Sequence, residues 1–159
     1  VMAMPMPKRA DEIVPANANE AAVLGFCTAL MANDMAKFAA IWTEDAVHEV
    51  GYVPDGVAPS FAGRDAIVAD YRRMFLNRKA GRTVFPVKGL YPTTDPDCII
   101  IEFHQHGEMI NPDLVYENDY ICVCHLRDGQ MCHFRIYANP LVAQRILGSQ
   151  MAKAETANH

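Results

Sequence analysis

The sequence predicts an α+β domain in which helices cover one face of a curved antiparallel sheet. Three observations carry that expectation. Helical periodicity comes first along the chain, alternating extended segments follow, and the stretch from Tyr116 to Pro140, YENDYICVCHLRDGQMCHFRIYANP, reads as a tight β-hairpin.

In chain order, residues 1–19 form a Pro- and Ala-rich arm, 20–148 the folded domain and 149–159 a polar tail. The first helix runs from Glu20 to Asn33, with Val23, Phe26, Cys27 and Leu30 on one face and Asn19 as a candidate N-cap. Asn33-Asp34 breaks it, and Met35 to Trp42 makes a short second helix. A turn at Thr43-Glu44-Asp45 leads to a strand over Ala46 to Tyr52, then a loop from Val53 to Gly63 rich in Pro and Gly. A third helix spans Asp65 to Lys79, with Gly81 suited to the C′ position. Thr83 to Tyr91 reads as a strand in which Pro86 demands an edge or a bulge, and Cys98 to Met109 as another. Asn139-Pro140 supplies a cap and an N1 proline for a last helix ending at Gly148.

The hairpin turn is Asp128-Gly129, a dipeptide suited to a type I′ loop because both central residues need φ > 0. A two-residue loop there sets Val123 opposite Phe134, Ile121 opposite Ile136 and Asp119 opposite Ala138. Alternation then gathers Asp119, Ile121, Val123, Phe134, Ile136 and Ala138 on a core face. Asn118, Tyr120, Cys122, Cys124, His133, Arg135, Tyr137 and Asn139 fall on the outer one. Asp119 is thus an acid expected among apolar neighbours.

Composition narrows the function classes. A chain of 159 residues suits one domain with a proper core, and a net charge of −5 without a basic block argues against nucleic acid or anionic membrane as partner. No apolar run approaches the roughly 18 residues that span a bilayer. The N-terminus lacks the apolar stretch of a secretory signal, and a first residue of Val suggests trimming. Five cysteines, an odd number without a disulfide-scaffold pattern, favour a reducing compartment and hence the cytoplasm. Neither G-x-G-x-x-G nor a P-loop is present, so no nucleotide cofactor is expected, nor any other cofactor.

This layout and its local phrases resemble the nuclear-transport-factor-2-like superfamily, specifically its SnoaL-like members. AIWTEDAVHEV (Ala40 to Val50) is similar to the acidic turn and strand after helix two, and GRDAI (Gly63 to Ile67) to the helix-three entry. DPDCIIIEFHQHGEM together with the hairpin is most similar to phenazine-biosynthesis A/B-type proteins. The resemblance covers roughly Ala21 to Leu147 and implies a cone-shaped α+β barrel, helices packed on the concave face of its sheet. It also implies a homodimer through the outer sheet face and an apolar pocket at the open end. Departures matter. Phenazine-type proteins carry a His and a Ser where this chain has Asp70 and Met74, and an acid where it has Ile136, as epoxide hydrolases of the superfamily also do. The ketosteroid-isomerase base is matched by Val50 and its oxyanion Tyr by Phe26, whereas its protonated Asp is matched by Asp119.

The candidate site is therefore Asp119 with His48, and Tyr71 or Tyr52 orienting the substrate. A desolvated Asp119 would stay protonated and donate to a developing enolate, whereas the bland alternative is an acid satisfied by a neighbouring Tyr, Arg or N–H. His48 is either the base or a strand-end imidazole bonded to a carbonyl. The apolar walls expected around them are Phe26, Trp42, Val50, Tyr52, Met74, Phe103, Ile121, Phe134 and Ile136. Glu102, His104 and His106 share one strand face, a spacing compatible with metal ligation. Ile99, Ile101 and Phe103 claim the core face, so a polar row at a dimer contact is the better account and no metal is expected. Cys122, Cys124 and Cys132 read as small buried residues rather than a zinc or redox site. Function follows as cofactor-independent proton transfer (isomerase, dehydratase or cyclase) on a small hydrophobic carbonyl or cyclic ligand. The alternative is a non-catalytic binder of the same fold.

Overall fold

A computed structural model describes residues 6–53, 55–56 and 58–146. The outermost residues of the expected arm, the expected helix end at Gly148 and the tail 149–159 lie outside the described residues. The arm is partly built into the fold. Strand β1 (Lys8–Arg9) pairs with β5 (Pro86–Pro92), and Ala10, the first residue of a 3-10 turn, is buried in the core with its N–H on the Phe85 carbonyl.

Helix α1 (Ala18–Met31) is capped by Asn17, not Asn19: the Asn17 side chain accepts from the Glu20 N–H, and the Glu20 carboxylate reaches back to the Ala16 N–H. Seven of its residues are buried, because α1 lies in the trough of the sheet. Asn33 at φ 52° ends it, and Asp34 caps α2 (Met35–Ala40). That helix stops two residues short of the expected Trp42, which instead opens β2 (Trp42–Gly51). A short strand, β3 (Ser60–Ala62), emerges from the expected loop and pairs with β2. Helix α3 (Arg64–Phe75) is shorter than predicted because Arg78 already belongs to β4 (Arg78–Val84). Gly81, at φ 67°, serves the irregular register of that strand rather than a helix cap. The single strand expected over Thr83–Tyr91 is two, broken at Phe85 beside Pro86.

Strands β6 (Cys98–Met109), β7 (Val115–Arg127) and β8 (Gln130–Ala138) form the body of the sheet, and a helix, α4, covers 140–146. The strand order is β1-β5-β6-β7-β8-β2-β3, with β4 also on β6. All pairings are antiparallel except β2 with β8, and the sheet is curved but not closed, so the expected barrel is an open one.

One irregularity repositions half of the expected site. Asp128 and Gly129 have φ of 53° and 76°, the expected I′ turn, and Arg127 faces Gln130 as predicted. Between His125 and Leu126 the register then shifts by one: Cys124 faces Phe134, Cys122 faces Ile136 and Tyr120 faces Ala138. The extra residue sits on β8 around Cys132, a β-bulge. Phe134 and Ile136 keep their predicted inward faces, whereas every β7 side chain beyond the bulge is inverted. Asn118, Cys122 and Cys124 are buried, and Asp119 and Ile121 face out.

Candidate functional site

The concave face of the sheet, roofed by α1, α2 and α3, is filled mainly by rings. Phe26 of α1 stacks on Phe134 (centroids 4.8 Å apart) and meets Tyr71 edge-on at 5.4 Å. Trp42, Phe38 and Phe103 complete the cluster, all with at most 1% exposure. Inside it stands His48, a strand residue of inward parity that is 2% exposed. Its Nε2 lies 2.8 Å from the Tyr71 hydroxyl of α3, and its ring is packed by Trp42, Phe61, Tyr71 and Phe134. The structure brings His48 together with Tyr71, one of the two tyrosines considered for orienting the substrate.

Burial sets the chemistry of the pair. Desolvation lowers the His48 pKa to about 4 and pushes the Tyr71 phenol well above its ordinary value. At neutral pH both are uncharged. A base with so low a pKa has little pull on a carbon-bound proton, so His48 is better suited to hold and relay a hydrogen bond than to act as the base expected of it. Its Nδ1 is buried without a partner, as is Trp42 Nε1. Whichever tautomer His48 adopts, one donor or acceptor of the dyad is left for something else to satisfy.

A second polar group lies on the same concave surface. The Tyr116 and Tyr120 hydroxyls are 2.5 Å apart, and Asn118 Nδ2 donates to the Tyr116 hydroxyl at 3.2 Å. The Arg78 guanidinium lies over the Tyr116 ring, 4.6 Å from its centroid. Gln105, 6% exposed, projects from β6 with its Nε2 unpartnered. None of these was predicted as a site residue. Gln105 was findable, since the inward parity of Ile99, Ile101 and Phe103 continues to it; Asn118 and Tyr120 were hidden by the bulge.

Asp119 is the principal correction. It stands on the outer face with 61% of its side chain exposed, accepting from Lys88 Nζ at 2.7 Å and lying 2.9 Å from His104 Nδ1. Those two partners, Lys88 first, hold its carboxyl below the usual range, the reverse of the buried neutral acid expected. Ile121 is 47% exposed and Tyr52, at φ 55°, is 73% exposed, so neither lines the interior. Val50 and Met74 are half-buried against the core, and Phe26, Trp42, Phe103, Phe134 and Ile136 are inside as expected. Glu102, His104 and His106 point outward, His106 Nδ1 lying 3.0 Å from Glu117. Among the described residues no cluster of three His, Cys, Asp or Glu side chains is arranged to hold a metal ion. An open polar groove of about 520 Å³, lined by Asp45, Arg64 and Arg127 near the hairpin turn, is remote in character from the dyad. The five cysteines are all free, and no described helix is long and apolar enough to cross a membrane.

Comparison with known proteins fits this architecture. The chain is 31% identical over 130 residues to the uncharacterized YesE protein of Bacillus subtilis, covering 82% of this chain and 87% of YesE. It is 36% identical over 111 residues to an uncharacterized PhzA/B-like protein of Pseudomonas aeruginosa, covering 70% and 77%. Among solved structures it matches a Bacillus subtilis protein described as a candidate isomerase, with TM-score 0.74, 27% identity and coverage of 82% and 93%. A Mycobacterium tuberculosis protein solved with estradiol-17beta-hemisuccinate shares the fold, with TM-score 0.64, 19% identity and coverage of 77% and 94%. A family profile described as the SnoaL-like domain matches residues 23–134, and the chain belongs to that SnoaL-like family.

Proposed function

We propose that this protein is a small-molecule enzyme catalysing cofactor-independent proton transfer on a hydrophobic carbonyl or cyclic metabolite, with the Tyr71–His48 pair as its neutral hydrogen-bond donor. The observation that carries the reading is the buried dyad itself, 2.8 Å across, uncharged and walled by aromatic rings. In such surroundings a phenol donating to a carbonyl oxygen stabilises the negative charge that develops as a neighbouring carbon loses its proton. His48, with its proton on Nε2, donates to the phenol oxygen and holds it in place, leaving the phenol proton for the carbonyl, and Asp70 lies close enough for its charge to act on both. Water is the acceptor of that proton and its source when it returns elsewhere on the ligand, which needs no oxidant or cofactor. Isomerisation, dehydration and cyclisation all share that step.

The experiment is solvent deuterium exchange into a bicyclic ketone such as 2-tetralone, followed by mass spectrometry with the wild type, Tyr71→Phe and His48→Gln. We expect exchange above the buffer rate, reduced roughly 100-fold by Tyr71→Phe. Exchange that survives both substitutions removes the dyad from the mechanism. A second reading, a ligand-binding protein without turnover, is favoured by Val50 and Phe26, which stand where related enzymes carry a base and an oxyanion donor. It gains if the ketone binds and no exchange occurs. We further propose a cytoplasmic homodimer associating through the outer sheet face, a reading supported by the unpaired cysteines and by the exposed Ile121 on that face. Sedimentation velocity of the wild type and Ile121→Lys tests the association, the substitution being expected to shift it towards monomer.

A further inference from the structure

We propose that Arg78 anchors the anionic end of the ligand, so that the natural ligand is an apolar molecule carrying a carboxylate. The inference deepens the reading above and rests on the concave interior being the ligand site.

The Nε and Nη1 atoms of Arg78 are buried and have no hydrogen-bond partner. Among the described residues no carboxylate pairs with this guanidinium; its neighbours Lys79 and Arg82 take Glu108 and Asp113 instead. An arginine cannot shed its proton to escape burial, so a half-buried guanidinium with two buried nitrogens unpaired is costly to the fold and is best explained by what it binds. Nε and Nη1 lie on different edges of the planar group. Whichever edge a carboxylate approaches, it meets at least one nitrogen that the fold leaves unsatisfied, and the planar fork suits two oxygens at once.

The surroundings are arranged for that role. Tyr116 supplies the face on which the guanidinium lies, 4.6 Å from the ring centroid, and Phe75 sits on another side at 5.7 Å. On β6, Gly107 faces the same group: a Cβ there would stand in ordinary contact with Nη1 at 3.6 Å and closer, at 3.2 Å, to Thr83 Oγ1. The paired hydroxyls of Tyr116 and Tyr120 are near enough for their charge states to influence Arg78, and Tyr120 likewise senses Tyr71. A narrow cleft of about 20 Å³, room for about one water, touches Phe75, Arg78 and Thr83. Phe75 also stacks with Tyr71 at 6.5 Å. Arginine, tyrosine pair and dyad thus follow one another along the concave face. A ligand whose carboxylate sits at Arg78 would direct its apolar body toward the Tyr71 hydroxyl.

Calorimetric titration of 2-naphthoate and of 2-naphthamide, which share one ring system and differ in charge, tests this on the whole chain. The wild type is expected to bind the acid at least tenfold more tightly than the amide. Arg78→Met should abolish that preference and Arg78→Lys should keep part of it, while urea denaturation shows Arg78→Met no less stable than the wild type because a half-buried unpaired charge has been removed. Equal affinity of the wild type for both probes, no binding of either, or a preference that survives Arg78→Met would each overturn the proposal. The two readings fail separately. Ketone exchange that depends on Tyr71 without acid preference removes only the carboxylate anchor. Acid preference that depends on Arg78, with exchange indifferent to Tyr71, removes only the chemistry.

Discussion

A neutral, caged His48 makes a quantitative prediction about stability against pH. The unfolded chain binds a proton at His48 near pH 6.5, whereas the folded chain resists until about 4. Between those values the unfolded state carries more protons, so lowering pH favours unfolding. His48 therefore costs nothing above about pH 7, and its penalty grows as pH falls through 6.5 and is complete below 4. From pH 7.5 to 5.0 the linkage amounts to about 2 kcal/mol. With a urea m-value of about 2 kcal/mol/M, that lowers the midpoint by about 1 M.

The perturbation is His48→Gln, which keeps a polar group facing Tyr71 and cannot titrate. Wild type and variant are unfolded in urea at both pH values, and the two losses are compared. All other titratable groups are common to both proteins and cancel to first order. The wild type should lose about 2 kcal/mol more than the variant over this interval. Equal losses, or a His48 ring proton titrating near 6.5 by NMR, would refute the buried neutral imidazole and with it the dyad's role.

Three further outcomes follow from the same geometry. Tyr71→Phe removes the hydroxyl bonded to His48 Nε2 and leaves that nitrogen without this partner in the core, a loss of about 1–3 kcal/mol by urea denaturation at pH 7.5. Asp119→Asn breaks a solvent-screened contact with Lys88 and should change stability by less than about 1 kcal/mol while leaving ketone exchange as it was; a hundredfold loss of exchange would return Asp119 to the site. Deleting Cys132 removes the bulge residue and leaves Met131 and Phe134 two positions apart on one face, with His125 still opposite His133, so the expected result is a retained cooperative urea transition; loss of that transition would refute the bulge.

How much of this was legible in the sequence turns on that one residue. The helices were readable from periodicity because each buries a face against the sheet, and their errors are confined to ends, as at Trp42 and Lys79. The faces of β6 were readable because Ile99, Ile101 and Phe103 admit one parity only. The I′ turn was readable because Asp128-Gly129 tolerates two positive φ angles. The register beyond the turn was not, since alternation carries no mark for an inserted residue and Ile121 and Val123 look as suited to a core as Cys122 and Cys124 do. One signal pointed the right way: free cysteines are among the most buried residue types, which conflicts with placing Cys122 and Cys124 outside.

The consequences of that slip reach the chemistry. With the unbulged register, β7 would offer the interior a carboxylate at Asp119 and isoleucine at 121. With the bulge it offers Asn118, Tyr120 and two thiols whose ionisation burial disfavours, so no negative charge enters the core from this strand. An interior with an ionisable acid would satisfy Arg78 internally and leave it nothing to bind. An interior furnished with phenols and amides keeps Arg78 unpaired and His48 neutral, polar but without a counter-ion. The inserted residue at Cys132 thus decides whether the positive charge on the concave face is a structural ion pair or an open request for an anionic ligand.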